Sequence, residues 1–581
     1  MLTNSEVAAK LLEIRTLMEM AGDSFYKYMA YEKAAASVEN APPLGDLVVA
    51  GEHLKLPGIG KSIGGVVEQL VRDGRADQLD QLHERFPPSL LEVLGVSGIG
   101  TKTAAMLFAD YGIASLADLE AAIASGTLAG VPRLGSKTIE NWRRGILAYR
   151  GRQRRTPLPF ALVIAREAMD YVREGPPIER LGYAGSLRRC EVTVGDIDLV
   201  CTSQNAAAVI AHFTTWERAQ AVLAEGPTKA SIWLPGGLQI DLRVLPDHLY
   251  GNLLQHFTGS REHNIKLREQ AVRASLRVSE NGILNLENGE VITCSDEAAV
   301  YEALGMQYIP PELRSGLDEI DLARARAIPE LVEVADLCGD FHMHTTWSDG
   351  DDSLEAMIAA AAARGYAYHS ISDHSHLGGR RFGLDPGKLL QQRAEIEKLG
   401  KRYGIATLCA SEVDILPDGS LDFDDAVLAR LDVVIGSVHS ATNQSRDEMT
   451  ARIIRACENP YVTILGHPTG RRFGASSASA HTAGYEFDYD AVFAAAARTG
   501  TALEIDGQAA RLDLPAPLAR KAKSFGVTFA LDSDAHRTGD LAAVEFAVGQ
   551  ARRAGLTKDD VLNTRSLEAV RAFVARKREA S

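Results

Sequence analysis

Three carboxylates in the middle of the chain have the types and spacing for metal-dependent chemistry on phosphate. Side chains alternate along an extended GSLRRCEVTVGDIDLV (185–200), so Asp196 and Asp198 share one face while Ile197 and Leu199 enter a core. A second alternating run, LQIDLRVL (238–245), offers Asp241. Three carboxylates converging on one sheet face repel one another by roughly 4 kcal/mol per pair at about 4 Å and an effective dielectric near 20. They must shed protons, move apart or hold cations. Two divalent ions about 3.5–4 Å apart, clamping attacking and leaving oxygens, are the use that fits. For D-x-D alone an ordinary acidic strand edge is the better explanation. The preceding residues change that balance: Gly185 permits a tight approach, Ser186 and backbone N–H groups can cradle phosphate, and Arg189 can hold a triphosphate oxygen.

A second set lies in the last third. In GDFHMHTTWSD (339–349) the alternation puts His342 and His344 on one strand face, with Asp349 on the loop that follows. Imidazole and carboxylate are ligands for zinc, manganese or iron. More candidates close short apolar runs: Asp373 and His374, Glu412, His439, His467, then Asp534 and His536. Scattered core histidines would not end nearly every strand. Helical stretches at 353–364, 388–402 and 490–499 lie between, and strand–loop–helix repetition with polar strand ends is the layout of an α/β-barrel site. His376, Arg380 and Arg381 sit in a glycine-flanked loop, either meeting substrate phosphate or simply solvated.

GSLRRCEVTVGDID resembles the palm signature of the family X DNA polymerases. The resemblance implies Asp196, Asp198 and Asp241 as catalytic carboxylates holding Mg²⁺ or Mn²⁺, with Gly185, Ser186, Arg189 and Gly195 around the nucleotide. LLQHFTGSREHNIKLREQA (253–271) reads as a plain capped helix start, and it also resembles the family's thumb segment. That implies Phe257 and Gly259 near the sugar, Asn264 at the base's minor-groove edge and Arg268 on the template side. Two positions depart: Cys190 stands where the family usually has glycine, and His256 where it usually has tyrosine. If the backbone at 190 needs positive φ, cysteine is strained there. The last third resembles the PHP (polymerase and histidinol phosphatase) domain, a distorted seven-stranded barrel of metal-dependent phosphoesterases. It implies the ligands His342, His344, Asp349, His374, Glu412, His439, His467, Asp534 and His536, a set able to hold up to three Mn²⁺ or Zn²⁺ ions. Palm before PHP resembles the bacterial family X polymerases over essentially the whole chain.

Other elements must bring DNA to these residues. Apolar spacing predicts helices over 3–39. LKLPGIGKSIGGVVEQLVRDG (54–74) and VSGIGTKTAAMLFADYG (96–112) each place a G-x-G turn between helices, and VPRLGSKTIENWRRGI (131–146) is a looser third copy. Such turns point backbone N–H groups at phosphate, and they resemble helix-hairpin-helix elements, which grip DNA backbones without reading sequence. The expected contacts are Gly58, Gly60, Gly98, Gly100 and Lys102, joined by Arg143 and Arg144 from a basic run over 133–155 interleaved with Trp142 and Tyr149. Val66 occupies the position where related repair polymerases form a Schiff base through lysine, so no strong lyase activity is expected by that route, with Lys55 or Lys61 as weak substitutes.

The 581 residues suggest about four domains. With 46 % hydrophobic and 24 % charged residues the composition is globular, and no apolar run reaches the roughly 18 residues of a membrane span. Six cysteines without C-x-x-C argue against disulfide or thiolate-zinc frameworks. A net charge of −15 places DNA contact in local basic patches. The expected architecture is multidomain α/β: an N-terminal helical domain (1–88), fingers (89–155), palm (156–247), thumb (248–316), a linker (317–336) and a PHP domain (337–581). The expected activity is gap-filling nucleotidyl transfer from a dNTP to a primer 3′-OH, plus 3′–5′ exonuclease action in the barrel. Asp241 acting as general base and a cation lowering the pKa of the 3′-OH are alternative ways to remove the proton. The competing reading is a DNA-end-binding protein with a weak palm and a PHP phosphoesterase as its one active centre. Gapped or primer–template DNA and dNTPs are the expected partners of a monomer in the cytoplasm, at the nucleoid.

Overall fold

The computed structural model describes the chain except residues 1, 3, 40, 42–43, 45–58, 97, 130, 132–133, 154, 376–382, 474–483 and 581, and the side chains of 5, 39, 144, 147–148, 150–153 and 580. Gly58, Lys55, Arg133, His376, Arg380, Arg381 and the side chain of Arg144 therefore lie outside the described residues. The chain forms two compact units, Met1–Gln153 and Arg154–Ser581. No helix among the described residues is long and apolar enough to cross a membrane.

The first unit is helical. Val7, Leu11, Ile14, Leu17 and Met18 line one face of Asn4–Met20 and are buried, as their three- and four-residue spacing requires. Helices Lys61–Asp73 and Thr101–Tyr111 start directly after Gly60 and Gly100, both extended, and stop at the left-handed Gly74 and Gly112. Trp142 is buried beneath the second hairpin, where a Cβ on Gly98 (φ 88°) would lie 3.6 Å from its indole nitrogen.

In the second unit a five-stranded sheet runs in the order Arg180–Tyr183, Asp196–Thr202, Gln239–Leu245, Lys229–Trp233, Ala221–Glu225. Ile197, Leu199, Ile240 and Leu242 face a core shared with helices Leu158–Arg173 and Ala206–Thr214. The two central strands are parallel and in register, so Asp198 stands beside Asp241 and Asp196 beside Gln239. Helices Tyr250–Thr258 and Arg261–Arg273, a three-stranded sheet and helix Glu297–Ala303 follow. Residues 317–336 are no free tether: Glu319–Arg324 is α-helical and Val334–Asp336 forms a 3-10 turn, Ile320, Leu331 and Val332 are buried, and the Val332 N–H donates to Leu556 O at 3.0 Å.

The C-terminal domain curls six parallel strands, Tyr368–Ile371, Ala406–Asp414, Val433–Ser437, Ile464–Leu465, Ala502–Asp506 and Phe529–Asp532, in sequence order. Extended residues 340–344 bridge the two ends. The Ser370 N–H donates to Asp340 O at 3.0 Å on one side, and the His344 N–H donates to Ala535 O at 2.8 Å on the other. That segment takes the seventh place in the ring. Its neighbours are helices Leu354–Ala363, Pro386–Tyr403 and Tyr489–Thr499, close to the spans read from periodicity. Phe473 and Leu512 of this domain are buried in the core of the central sheet, and Phe546 packs against it.

Candidate active sites

The central site is assembled from a turn and two strands. Gly185 has φ 60°, and a Cβ there would lie 2.1 Å from Asp198 Oδ2, so glycine is what lets the turn Gly185–Arg188 close on the carboxylate. Burial first, then Asp196 and Asp241, push the Asp198 carboxyl up to about 8 against the pull of Arg189 and Lys229. Gln239 Nε2 donates to Asp241 Oδ1 at 2.9 Å and fixes that carboxylate. Asp196 is exposed and Asp198 and Asp241 half-buried, as ligands open to an incoming nucleotide would be. The trio shares a face, yet it is not among the groups whose ligand atoms all lie within 4.8 Å of one another.

The paired arginines diverge. Arg188 leaves the site: its Nη2 meets Glu297 Oε2 at 2.6 Å and its Nη1 donates to Thr258 Oγ1 at 2.6 Å. Arg314 Nη1 reaches the other oxygen of Glu297 at 2.6 Å, and Glu297 and Arg314, both buried, with the half-buried Arg188 form a triad that ties the turn to the following helices. Burial would raise the Glu297 carboxyl, but Arg314 and Arg188 hold it down at about 2. Arg189 stays at the site, with Nη1 donating to Thr258 O at 2.5 Å. Gly259 lies against it, a Cβ there falling 3.1 Å from Arg189 Nη1. Phe257 carries the Arg243 guanidinium 5.1 Å from its ring centroid. Asn264 is tied at both ends, accepting from Gln255 Nε2 at 2.9 Å and donating to His256 O at 2.8 Å. Ser186 and Arg268 lie on the same turn and thumb helix, Arg268 within Arg261–Arg273. Gly195 immediately precedes the strand Asp196–Thr202. At Cys190, φ is 54°, the left-handed conformation that glycine would adopt without strain.

The second site is mostly buried, with Asp349 exposed at its mouth. Eight of the nine expected ligands fall into three overlapping groups: His344, Asp349, His374 and His536; His342, His344 and Asp534; His374, Glu412 and His439. The ninth, His467, joins through Glu412, 2.8 Å from its Nε2. Glu412 is the hub, since His439 Nε2 lies 3.0 Å and His374 Nδ1 2.9 Å from it. Burial pulls His344 and His467 down to about 3, which keeps them in the neutral form that binds metal. Burial also opposes charge on His374, but Glu412 and Asp349 raise it to about 9. Among the described residues, His342 Nε2, both ring nitrogens of His344, His439 Nε2 and His467 Nδ1 are buried without a partner in hydrogen-bond geometry, the close carboxylates notwithstanding. Imidazole atoms so placed among carboxylates suit divalent cations. His467 (φ 26°) and Asp534 (φ 47°) adopt left-handed backbone, the kind of strain that gathers at ligand clamps.

Sequence reasoning missed the residues that hold these ligands. Glu504 Oε1 faces His342 Nδ1 at 2.6 Å, and Asp414 Oδ1 faces His439 Nδ1 at 2.5 Å. Asp373, read as a candidate ligand, instead accepts from Thr345 N–H at 2.8 Å, Thr345 Oγ1 at 2.7 Å and Ser348 Oγ at 2.5 Å, so it braces the loop. Arg511 is buried 3.4 Å from Asp534 and 3.5 Å from Asp506. A carboxylate ending the strand Ala502–Asp506, as elsewhere in the domain, was the available signal.

In the first unit no described residue lies within 4 Å of a Cβ built on Gly60 or Gly100, which leaves both helix N-termini open to a phosphate among the described residues. Lys102 is exposed in the first turn of its helix, and Arg143 is exposed along Ser136–Gln153. Val66 is buried.

Residues 2–76 match the family model of a helix-hairpin-helix domain and residues 90–146 a SAM-like helix-hairpin-helix tandem. Residues 253–315 match the DNA polymerase beta thumb, and residues 340–475 the PHP domain. Over 571 residues, 98 % of each chain, the sequence is 36 % identical to the DNA polymerase/3′-5′ exonuclease PolX of Bacillus subtilis strain 168. Over 223 residues, 34 % of this chain and 86 % of the relative, it is 31 % identical to a probable phosphatase of Thermoanaerobacter sp. strain X514.

Proposed function

Because this chain belongs to the family X DNA polymerases that carry a C-terminal PHP domain, we propose that Asp196, Asp198 and Asp241 perform its nucleotidyl transfer and that the nine-residue cluster performs its 3′–5′ hydrolysis. The protein is a DNA polymerase and a 3′–5′ exonuclease. The observation that carries the reading is the register of two parallel strands, which sets Asp198 beside Asp241 with the Gly185 turn closed over them.

In the central site Arg189 and the turn at Gly185–Ser186 hold the triphosphate, Phe257 and Gly259 border the sugar, and Asn264 faces the base edge. Arg268 lies toward the template, and the hairpins at Gly60, Gly98 and Gly100, with Lys102 and Arg143, hold the duplex backbone. In the C-terminal site the buried imidazoles and carboxylates exclude bulk water and fix the phosphodiester. Divalent cations, Mg²⁺ or Mn²⁺ in the centre and Mn²⁺ or Zn²⁺ in the PHP domain, supply charge neutralisation and a lowered pKa for the attacking oxygen when bound. The protein acts as a monomer at the nucleoid, filling gaps and trimming ends.

Primer extension and 3′ degradation on the same labelled duplex test this. Asp198→Asn abolishes extension and spares degradation; His344→Ala does the reverse. Degradation surviving in His344→Ala would remove the barrel assignment, and extension surviving in Asp198→Asn the central one.

A further inference from the structure

The loop after Arg188 is gripped by a helix from the other catalytic domain. Helix Val544–Arg553 sends the Arg553 guanidinium into it: Nη1 donates to Arg189 O at 2.5 Å and Nη2 pairs with Glu191 Oε2 at 2.8 Å. One turn earlier, Gln550 Nε2 donates to Cys190 O at 2.8 Å. Gly549 completes the contact, since a Cβ there would come within 3.1 Å of Cys190 Sγ. Three consecutive residues are thus fixed, two by their carbonyls and one by its carboxylate. The middle one is Cys190, held at φ 54°, a left-handed conformation that is strained for a non-glycine residue and persists where its surroundings over-determine it.

The grip bears on the side chain that matters. Arg189 is held between the Asp198 turn and Thr258 O, with its Nε buried and without a hydrogen-bond partner among the described residues. Its direction follows from the backbone at 189–191, which no strand or helix contains. Loss of the clamp would free that backbone without touching Asp196, Asp198 or Asp241. The same helix packs against Ala502–Asp506 and Phe529–Asp532 on its other side, so its position is set by the barrel.

We propose that Arg553 and Gln550 of the PHP domain are positioning residues for the polymerase, holding Arg189 in the direction that receives the nucleotide's triphosphate. The inference rests on the reading of Arg189 as a triphosphate contact. It makes dNTP binding depend on a helix of the nuclease domain.

Full-length Arg553→Ala, Arg189→Ala and the double variant test it in steady-state primer extension, with nuclease rate as the control for folding. Arg553→Ala is expected to raise the KM for dNTP about tenfold, the loss of one charge-assisted hydrogen bond, with little change in kcat or nuclease rate. Inhibition by inorganic tripolyphosphate, which has neither base nor sugar, weakens by the same factor. In the Arg189→Ala background the Arg553 effect vanishes, because both act through one group. Arg553→Lys restores part of the affinity, as a single point donor replaces a fork. An unchanged KM in Arg553→Ala beside a raised KM in Arg189→Ala overturns the proposal, as does an undiminished Arg553 effect in the double variant. An unchanged KM in Arg189→Ala overturns instead the reading of Arg189. Should Arg553→Ala also lose the nuclease, Gln550→Met, which removes the donation to Cys190 O and a 3.4 Å hydrogen bond accepted from Ala516 N–H inside the barrel, decides by the same measurements.

Discussion

The two proposed catalytic centres solve one problem, gathering carboxylates on one site, in opposite ways. The central trio is half-exposed and spread along two strands, and repulsion is relieved partly by a proton that Asp198 keeps up to about 8. The C-terminal site buries six of its nine expected ligands, with His439 and His536 half-buried and Asp349 exposed at its mouth, and alternates acid with imidazole, so that Glu412 meets three histidines within 3.0 Å. The first is a site completed by what arrives; the second is complete before anything arrives. The supports differ as well: arginines around Glu297 for the first, carboxylates behind histidines for the second.

The contrast can be broken at each support. Glu297→Gln strands the buried Arg314 and the half-buried Arg188 and is expected to destabilise the protein by about 3–5 kcal/mol, read by denaturant unfolding. The depressed pKa fixes the sign: the Glu297 contribution is fully present above its ordinary 4.5 and is lost as pH falls through about 2, so parent and variant converge in acid. Glu504→Gln weakens the hold on His342 and should lower metal affinity in the PHP site by about 10–100-fold, measured by titration with Mn²⁺, while extension stays at the parent rate. Asp198→Asn removes a repelled charge. Because the folded pKa is raised, stability falls as pH climbs from 3.8 to about 8, so the variant should melt higher than the parent at pH 8 in chelator, with the gap closing toward pH 4. A gain of about 2–4 °C per kcal/mol relieved is the scale. Cys190→Gly relaxes one left-handed residue and should stabilise the fold by about 1 kcal/mol or less, since glycine's own chain entropy opposes the gain.

How far the sequence could be read follows the same contrast. Asp196 and Asp198 announce themselves by alternation, and so do His342 and His344, because period two is a property of any strand. Asp241 needed only a second alternating run, but its register beside Asp198 is a tertiary fact. Glu504 and Asp414 were not marked out by spacing, since a buried carboxylate behind a ligand histidine follows no period of its own. The strain at Cys190 was legible only as a condition, and the structure supplies the φ of 54° that meets it. Arg553 lies more than 350 residues from the carbonyl it binds, beyond any local pattern. The helix-hairpin-helix copies were plain in their glycines, although Gly58 lies outside the described residues.

Phe473, Leu512 and Phe546 reach into the hydrophobic interior beneath the Asp196–Thr202 strand. A polypeptide ended at Asp336 would therefore lose part of that interior along with its nuclease. The boundary between these two enzymes, so clear along the gene product, does not exist as a clean cut in space. Engineers who wish to transplant either half will have to carry the apolar plug of the other, or redesign the hole it leaves.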